Sequence, residues 1–316
     1  MNRILVVGAE SLIGQNLCKI ATQRGMNVVG TYKKTSWARY CPMGIMDPTN
    51  AEEVKEVMKR YQPEVVFVDS SCDSPEYCET HPQEAWASNV EGVLNIVTSA
   101  KEFGSRVFSV STDLIFSGDK RSKYVETDAP EPLSKYAQMK LESERVVLDA
   151  SKQNCICRVS ATYGINKATP KYNFITWALD QLKSNRQIKL LEDQYVTPSY
   201  APDCAEEMLL MADRMCAGIY HLAVDECLSR YEMGVKLAET FELDSSLCVK
   251  IKSDEVEPIV VRGKNTCLDS SKVTKEISRS LMSFQDTLRD MKSNDVDRKK
   301  ECSIESGKSN NFIKII

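Results

Sequence analysis

Short apolar runs alternate with longer amphipathic stretches through the first half of the chain. Ile4-Leu5-Val6-Val7 is a run of β-formers ending at Gly8, and a helical pattern follows to Arg24, where Gly25 stops it. Asn27-Val28-Val29-Gly30-Thr31 reads as a second strand. Residues 51–61 predict a helix, 64–68 a strand, 85–103 a long helix closed by Gly104, and 106–110 a strand that ends at Ser111-Thr112. Pro130 and Pro132 break the chain before a helix that carries Tyr136 and runs to about residue 151, and residues 155–160 form another strand. Such alternation predicts an α/β fold, a parallel sheet with helices on both faces, whose ligands bind beyond the carboxyl ends of the strands. The second half is more mixed, with helices over 174–184, 203–215 and 230–241, strands over 187–190 and 219–223, and no internal repeat. From about residue 293 the chain is rich in Lys, Ser, Asn and Asp, which predicts a mobile tail, with Phe312-Ile313-Lys314-Ile315-Ile316 able to dock on a neighbour.

The opening strand, turn and helix have the form of a phosphate-binding turn. Gly8 and Gly14 keep a G-x-x-G-x-x-G spacing, with Ser11 in place of the middle glycine. Backbone N–H groups at this helix start, over Ser11, Leu12 and Ile13, would hold a pyrophosphate. After the second strand, Lys33 and Lys34 stand where an acidic residue would meet a ribose 2′-hydroxyl. Two lysines suit a 2′-phosphate better, so NADPH is expected over NADH.

Tyr136 and Lys140 lie four positions apart, on one face of their helix and one turn from each other. A free tyrosine has a pKa near ~10, and lowering it by about three units takes roughly 4 kcal/mol. One ammonium about 4 Å away supplies roughly that at an effective dielectric of about 20. The Ser111 or Thr112 hydroxyl, at a strand end, would then hold a substrate carbonyl oxygen in place. That trio can protonate a carbonyl while a bound cofactor delivers hydride.

Composition narrows the classes without choosing among them. With 41 basic against 45 acidic residues the net charge is −4, which argues against nucleic acid as a partner. The longest apolar runs are strand-sized, so no membrane span is expected. The chain enters a strand without a charged-then-apolar leader, which predicts a cytoplasmic protein. The 12 cysteines are scattered, without Cys-x-x-Cys pairs, and are expected to be reduced thiols. Cys155 and Cys157 share one face of a strand and are expected to pack, and His81 and His221 are given structural roles. No metal site is predicted.

Several stretches together resemble one family. They are Ser111-Thr112-Asp113-Leu114-Ile115-Phe116-Ser117-Gly118, then Glu126-Thr127-Asp128-Ala129-Pro130-Glu131-Pro132-Leu133, then Tyr136 to Lys140. Downstream come Arg158 with Tyr163-Gly164, Asn173-Phe174-Ile175-Thr176-Trp177, Asp193 to Pro198, Gly218 to Leu222, and Arg262 to Asp269. In this order they resemble extended short-chain dehydrogenase/reductases of the dTDP-4-dehydrorhamnose reductase family. The resemblance implies a Rossmann-type doubly wound parallel sheet with a smaller C-terminal α/β substrate domain. The cofactor domain would span residues 1–165, joined again by about 195–224, the substrate domain 166–292, and the tail 293–316. It implies Tyr136 as proton donor, Lys140 as its tuner and ribose ligand, and Thr112 as partner of the substrate oxygen. Asp47 would lie near the adenine and Asn89 would support the site from its helix. Asn173, Phe174, Thr197 and Arg262 would face a nucleotide-sugar substrate.

Two departures from the family touch the cofactor. Ser11 replaces a glycine, and the third strand runs into Val68-Asp69-Ser70-Ser71 where an asparagine or cysteine followed by alanines is usual. Ser70 and Ser71 then stand beside the cofactor, and an ionised Asp69 near a pyrophosphate would repel it by roughly 1–4 kcal/mol. The expected function is reduction of a nucleotide-linked 4-keto sugar. The alternatives are a sugar epimerase or dehydratase on the same fold, or a non-catalytic partner-binding role like that of the methionine adenosyltransferase regulatory subunit, which the chain also resembles. A homodimer is the default assembly.

Overall fold

The structure is a computed structural model that describes residues 3–33, 40–70, 72, 74–169 and 172–305, with side chains to residue 294. Lys34, Ser71 and residues 312–316 lie outside the described residues.

The chain runs β1 (Arg3–Val7), α1 (Leu12–Gln23), β2 (Asn27–Tyr32), β3 (Met43–Ile45), α2 (Ala51–Tyr61) and β4 (Val65–Val68). It continues through α3 (Pro75–Thr80), α4 (Pro82–Trp86), a π-helical turn (Ala87–Glu91), α5 (Gly92–Glu102), β5 (Arg106–Thr112), α6 (Lys135–Ala150) and β6 (Cys155–Val159). The second half supplies α7 (Phe174–Lys183), β7 (Ile188–Leu191), β8 (Tyr195–Val196), α8 (Ala201–Asp213) and β9 (Gly218–His221). β10 (Leu228–Ser229), α9 (Arg230–Thr240), β11 (Cys248–Ile251), α10 (Ser271–Ile277) and α11 (Phe284–Glu305) complete it.

Seven strands form one sheet in the order β3-β2-β1-β4-β5-β6-β9, with every pairing parallel. The chain steps outward from β1 to β3, then returns to β4 on the other side of β1. That reversal opens a crevice at the carboxyl ends of β1 and β4. β4, β5 and β6 are buried at every position, as parallel strands covered on both faces must be. One face carries α1 and α8, whose Leu17, Cys204 and Met208 share a core with Val6 and Phe108. The other carries α2, α5 and α6 through Val54, Val97 and Val147. A third apolar cluster joins Leu179, Ile188, Leu237 and Leu288 beside two small sheets, β7 with β11 and β8 with β10. Among the described residues no helix is long and apolar enough to cross a membrane.

The long helix expected over 85–103 is observed as α4, the π-turn and α5 in succession. α11 runs to Glu305, past residue 293 where the tail was expected to begin. The cysteine expectation needs one correction. Cys227 and Cys267 are joined by a disulfide, while the other cysteines whose side chains are described are free thiols. Strand register and loop packing bring these two together across 40 residues of sequence, which no local pattern announces.

Candidate active site

α6 begins where Ser134 Oγ accepts the Ala137 N–H at 3.2 Å, so its first turn opens at the carboxyl end of the sheet. Tyr136, Lys140 and Glu144 then follow at four-residue spacing along one stripe. Lys140 is buried, and its Nζ donates to Val110 O at 2.6 Å, a β5 carbonyl two residues before Thr112. Tyr136, Lys140 and Thr112 all line one cleft of ≈ 630 Å³. Thr112 ends β5, and its Oγ1 accepts the Leu114 N–H at 3.2 Å. Ser111 also borders the cleft, and its hydroxyl donates to Glu144 Oε1 at 2.5 Å. That proton serves a buried carboxylate at short range, whereas the Thr112 hydroxyl donates to Asp113 Oδ1 at a longer 3.3 Å and is the more easily freed of the two strand-end alcohols.

Beneath Tyr136, the π-turn turns Asn89 inward. Its Oδ1 accepts the Cys72 N–H at 2.7 Å and its Nδ2 donates to Cys72 O at 3.2 Å, so one buried amide pins the chain after β4. π-turns recur at functional sites for this reason: one extra residue re-aims a side chain.

Behind the strand end, Arg158 of β6 makes two bonds to Glu144, Nε to Oε1 at 2.9 Å and Nη2 to Oε2 at 2.7 Å, with both side chains about 3% exposed. His221 of β9 lies on the far side of Arg158, Nη1 to Nε2 at 3.5 Å. Burial, and then the Arg158 charge, lower His221 from 6.5 to about 3, so it is neutral in the folded protein. An unfolded chain binds a proton there below pH ~6.5 and the folded one does not until about pH 3. This group's contribution is thus lost as pH falls through that window, by about 1.4 kcal/mol per pH unit. His221→Asn should be less stable than wild type at pH 7, and the gap should narrow at that rate on acidification. Urea midpoints of both proteins across pH 4–7 check it; a gap independent of pH would mean the imidazole is solvated.

At the crevice between β1 and β4, Gly8 has φ +86°, and a Cβ on it would meet Asp69 O at 2.6 Å. A Cβ on Gly14 would lie 2.1 Å from Gly8 O, so both glycines are needed for the tight turn and close helix approach. Neither borders the cleft. Ser11, Leu12, Ile13 and Ser70 do border it, so the start of α1 faces open space as a phosphate-binding turn requires. Ser11 caps α1 by accepting the Gly14 N–H at 2.9 Å and donates to Asp69 Oδ2 at 2.5 Å. The two departures from the family pattern are thus one hydrogen-bonded pair. Lys33 pairs with Asp47 at 2.9 Å, away from the cleft lining and partly exposed.

The cleft also has cationic lining. Arg230 and Arg262 both border it. Burial, and the nearby Arg262 charge, lower Arg230 to about 10, still cationic at neutral pH, while Asp113 acts in the other direction. Arg230 lies 4.8 Å over the Phe174 ring. Burial raises the Asp113 carboxyl, which accepts a hydrogen bond from Thr266. Arg262 reaches across the mouth to Glu76 of α3, Nη2 to Oε1 at 2.7 Å. Asn173 borders the cleft while capping α7, its Oδ1 accepting the Thr176 N–H at 3.1 Å. Thr197 does not border it: the residue is fully buried, and its Oγ1 accepts the Leu268 N–H at 2.9 Å. The expected substrate role for Thr197 is not one this position allows, because just past β8 its hydroxyl is turned into the protein and held by the Leu268 N–H.

Sequence reasoning did not give Glu144 or Arg230 a role. Glu144 carries a signal in retrospect, a carboxylate one further turn along the Tyr136–Lys140 stripe. Arg230 reads only as the first residue of a helix.

The family model described as RmlD substrate binding domain matches residues 1–296. A dTDP-4-dehydrorhamnose reductase of Aggregatibacter actinomycetemcomitans is 27% identical over 305 residues, covering 92% of this chain and 99% of the relative. Methionine adenosyltransferase 2 subunit beta of Xenopus tropicalis is 29% identical over 280 residues, covering 86% of this chain and 82% of the relative. In fold, the chain is similar to the dTDP-4-dehydrorhamnose reductase of Bacillus anthracis str. Ames solved in complex with NADP, with a TM-score of 0.84 at 20% identity over 93% of this chain and all of that one. With a tyrosine–lysine stripe at a Rossmann-type crevice and a match along nearly its whole length, the chain belongs to the family of the RmlD substrate binding domain.

Proposed function

We propose that the protein is a reductase of a nucleotide-linked 4-keto sugar, of the dTDP-4-dehydrorhamnose reductase kind, using NADPH, with NADH the alternative donor. The observation that carries this reading is the layout of a single cleft. The start of α1 (Ser11, Leu12 and Ile13), the trio Tyr136, Lys140 and Thr112, and the two arginines Arg230 and Arg262 all line it.

Bound NADPH would supply the hydride. Leu12 and Ile13, at the first turn of α1, would meet its diphosphate, and Lys140 its ribose. Tyr136 would give its phenolic proton to the carbonyl oxygen as that oxygen gains negative charge. Lys140 sits one turn away in a buried wall, where its charge acts through a lower dielectric than water and favours the phenolate left behind. Thr112 would hold the carbonyl oxygen within reach. Arg230 and Arg262 suit the diphosphate of the sugar nucleotide, and Phe174 offers an apolar face beside them. Arg230→Gln should raise KM for the sugar nucleotide roughly ten- to a hundredfold with a smaller change in kcat, because a charge-assisted bond made equally in ground and transition states is lost. Steady-state kinetics on purified protein check this; an unchanged KM would remove Arg230 from the substrate site.

The decisive assay is oxidation of NADPH in the presence of dTDP-4-keto-6-deoxyhexose, followed at the reduced-nicotinamide absorbance band. The likeness to the methionine adenosyltransferase subunit, together with a carboxylate at the phosphate turn, favours one second reading: a nucleotide-fold protein that acts by binding a partner enzyme. Co-purification with a methionine adenosyltransferase, without NADPH turnover, would replace the first reading by the second.

A further inference from the structure

We infer that Ser11 and Asp69 act as one unit that sets how tightly the start of α1 accepts a diphosphate, and so govern cofactor affinity. The inference rests on the cofactor reading above. Two neighbouring elements place the unit. β1 and β4 pair in parallel with Val7 opposite Val68, so the residues that leave the two strand ends must lie side by side. Gly8 fits against the Asp69–Ser70 backbone so closely that a Cβ would meet Asp69 O at 2.6 Å and Ser70 N at 2.8 Å. The Asp69 backbone therefore cannot shift toward the turn.

From that fixed point the carboxylate accepts the Ser11 hydroxyl at 2.5 Å, and the same hydroxyl oxygen accepts the Gly14 N–H at 2.9 Å. One hydroxyl thus links the first turn of α1 to a carboxylate. The start of a helix carries roughly half a positive charge, which is what draws a diphosphate to such turns. Here a side chain of this protein already brings negative charge to it. Both Ser11 and Asp69 border the cleft, so an entering diphosphate shares the helix start with that carboxylate and is opposed by it. Glycine at position 11 would leave Asp69 without this donor, and a neutral residue at position 69 would leave Ser11 as a simple helix cap. The two departures make physical sense together.

The experiment is calorimetric titration of wild type, Asp69→Asn, Ser11→Ala and the double variant with NADPH, and in parallel with adenosine 2′-monophosphate, which lacks the diphosphate. Asparagine keeps the shape and the hydrogen-bond acceptor while removing the charge. Asp69→Asn should bind NADPH about tenfold more tightly or better, with no change for the monophosphate. Ser11→Ala should weaken NADPH binding when Asp69 is present and have a smaller effect in the Asp69→Asn background, a non-additive cycle. Thermal melts verify that each variant is folded, and Asp69→Ala gives the same direction should the asparagine variant fail to fold. NADPH binding that is detectable only without the carboxylate would also support the inference. NADPH binding to Asp69→Asn that is equal to or weaker than wild type overturns it and leaves the cofactor reading standing, with Asp69 then better suited to a ribose hydroxyl. Additive effects of the two substitutions overturn their acting as a unit. Absence of NADPH binding in all four proteins overturns the cofactor reading and this inference together.

Discussion

Tyr136→Phe should lower kcat by about a hundredfold to about ten-thousandfold, the range over which a positioned general acid works. The substitution removes one oxygen and leaves the ring, which packs against the small apolar cluster of Cys78, Ala85, Val90 and Met139. Stability should therefore change little, and NADPH should still bind, since the start of α1 is untouched. The loss falls on the step in which the carbonyl oxygen acquires a proton. A hydroxyl is required there, with the buried ammonium of Lys140 one turn along the helix to favour its ionised form. Stopped-flow measurement of a single turnover separates this from slow product release. A decrease of less than about tenfold would mean that water or another group delivers the proton. Wild-type protein that binds NADPH yet never oxidises it, with the keto sugar present, would defeat the reductase proposal itself.

Glu144→Ala should cost about 3–5 kcal/mol of folding stability, because it leaves the Arg158 guanidinium charged and unpaired in the interior. The pair is about 3% exposed on each side, and Glu144 also accepts the Ser111 hydroxyl, so one truncation strands three donors, two on Arg158 and one on Ser111. Against a total of about 5–15 kcal/mol for a typical domain, that is enough to lower the yield of folded protein. The magnitude reflects what is left behind rather than what the pair contributes. Replacing both residues, Glu144→Leu with Arg158→Met, should recover much of the loss. Urea midpoints for the two variants provide the comparison. A single variant within about 1 kcal/mol of wild type would show that water reaches the pair. Because Glu144 lies two helical turns from Tyr136 and bonds to the residue before Thr112, residual folded protein should also turn over slowly.

The alternating strands and helices of the first half were legible because their repeats are long enough to show a period. The tyrosine–lysine stripe was legible because it is local to one helix. β3, β8 and β10 have two or three residues each, too short for any period; β3 forms against the edge of β2, and β8 and β10 form by pairing with each other. The π-turn adds one residue to a helical run and leaves the apolar pattern nearly intact, so a single helix was read across it. The Ser11–Asp69 bond spans 58 positions. Each residue was visible as a departure from pattern, but their contact depends on β1 lying beside β4. Thr197 shows the converse. A motif match put it at the substrate, and the local chain direction put its hydroxyl inside.

The bond between Cys227 and Cys267 closes a covalent ring, and α9 and β11 lie within it. Arg230 is three residues from one end of the ring, and Thr266 is next to the other. The Cα atoms of the two cysteines are held 5.6 Å apart. Fraying of α9 can therefore loosen the helix without letting its first turn drift from the segment that bonds to Asp113. The part of the cleft lined by Arg230 and Thr266 keeps a high local concentration of its own parts, and after each local opening it reassembles by a short tethered search.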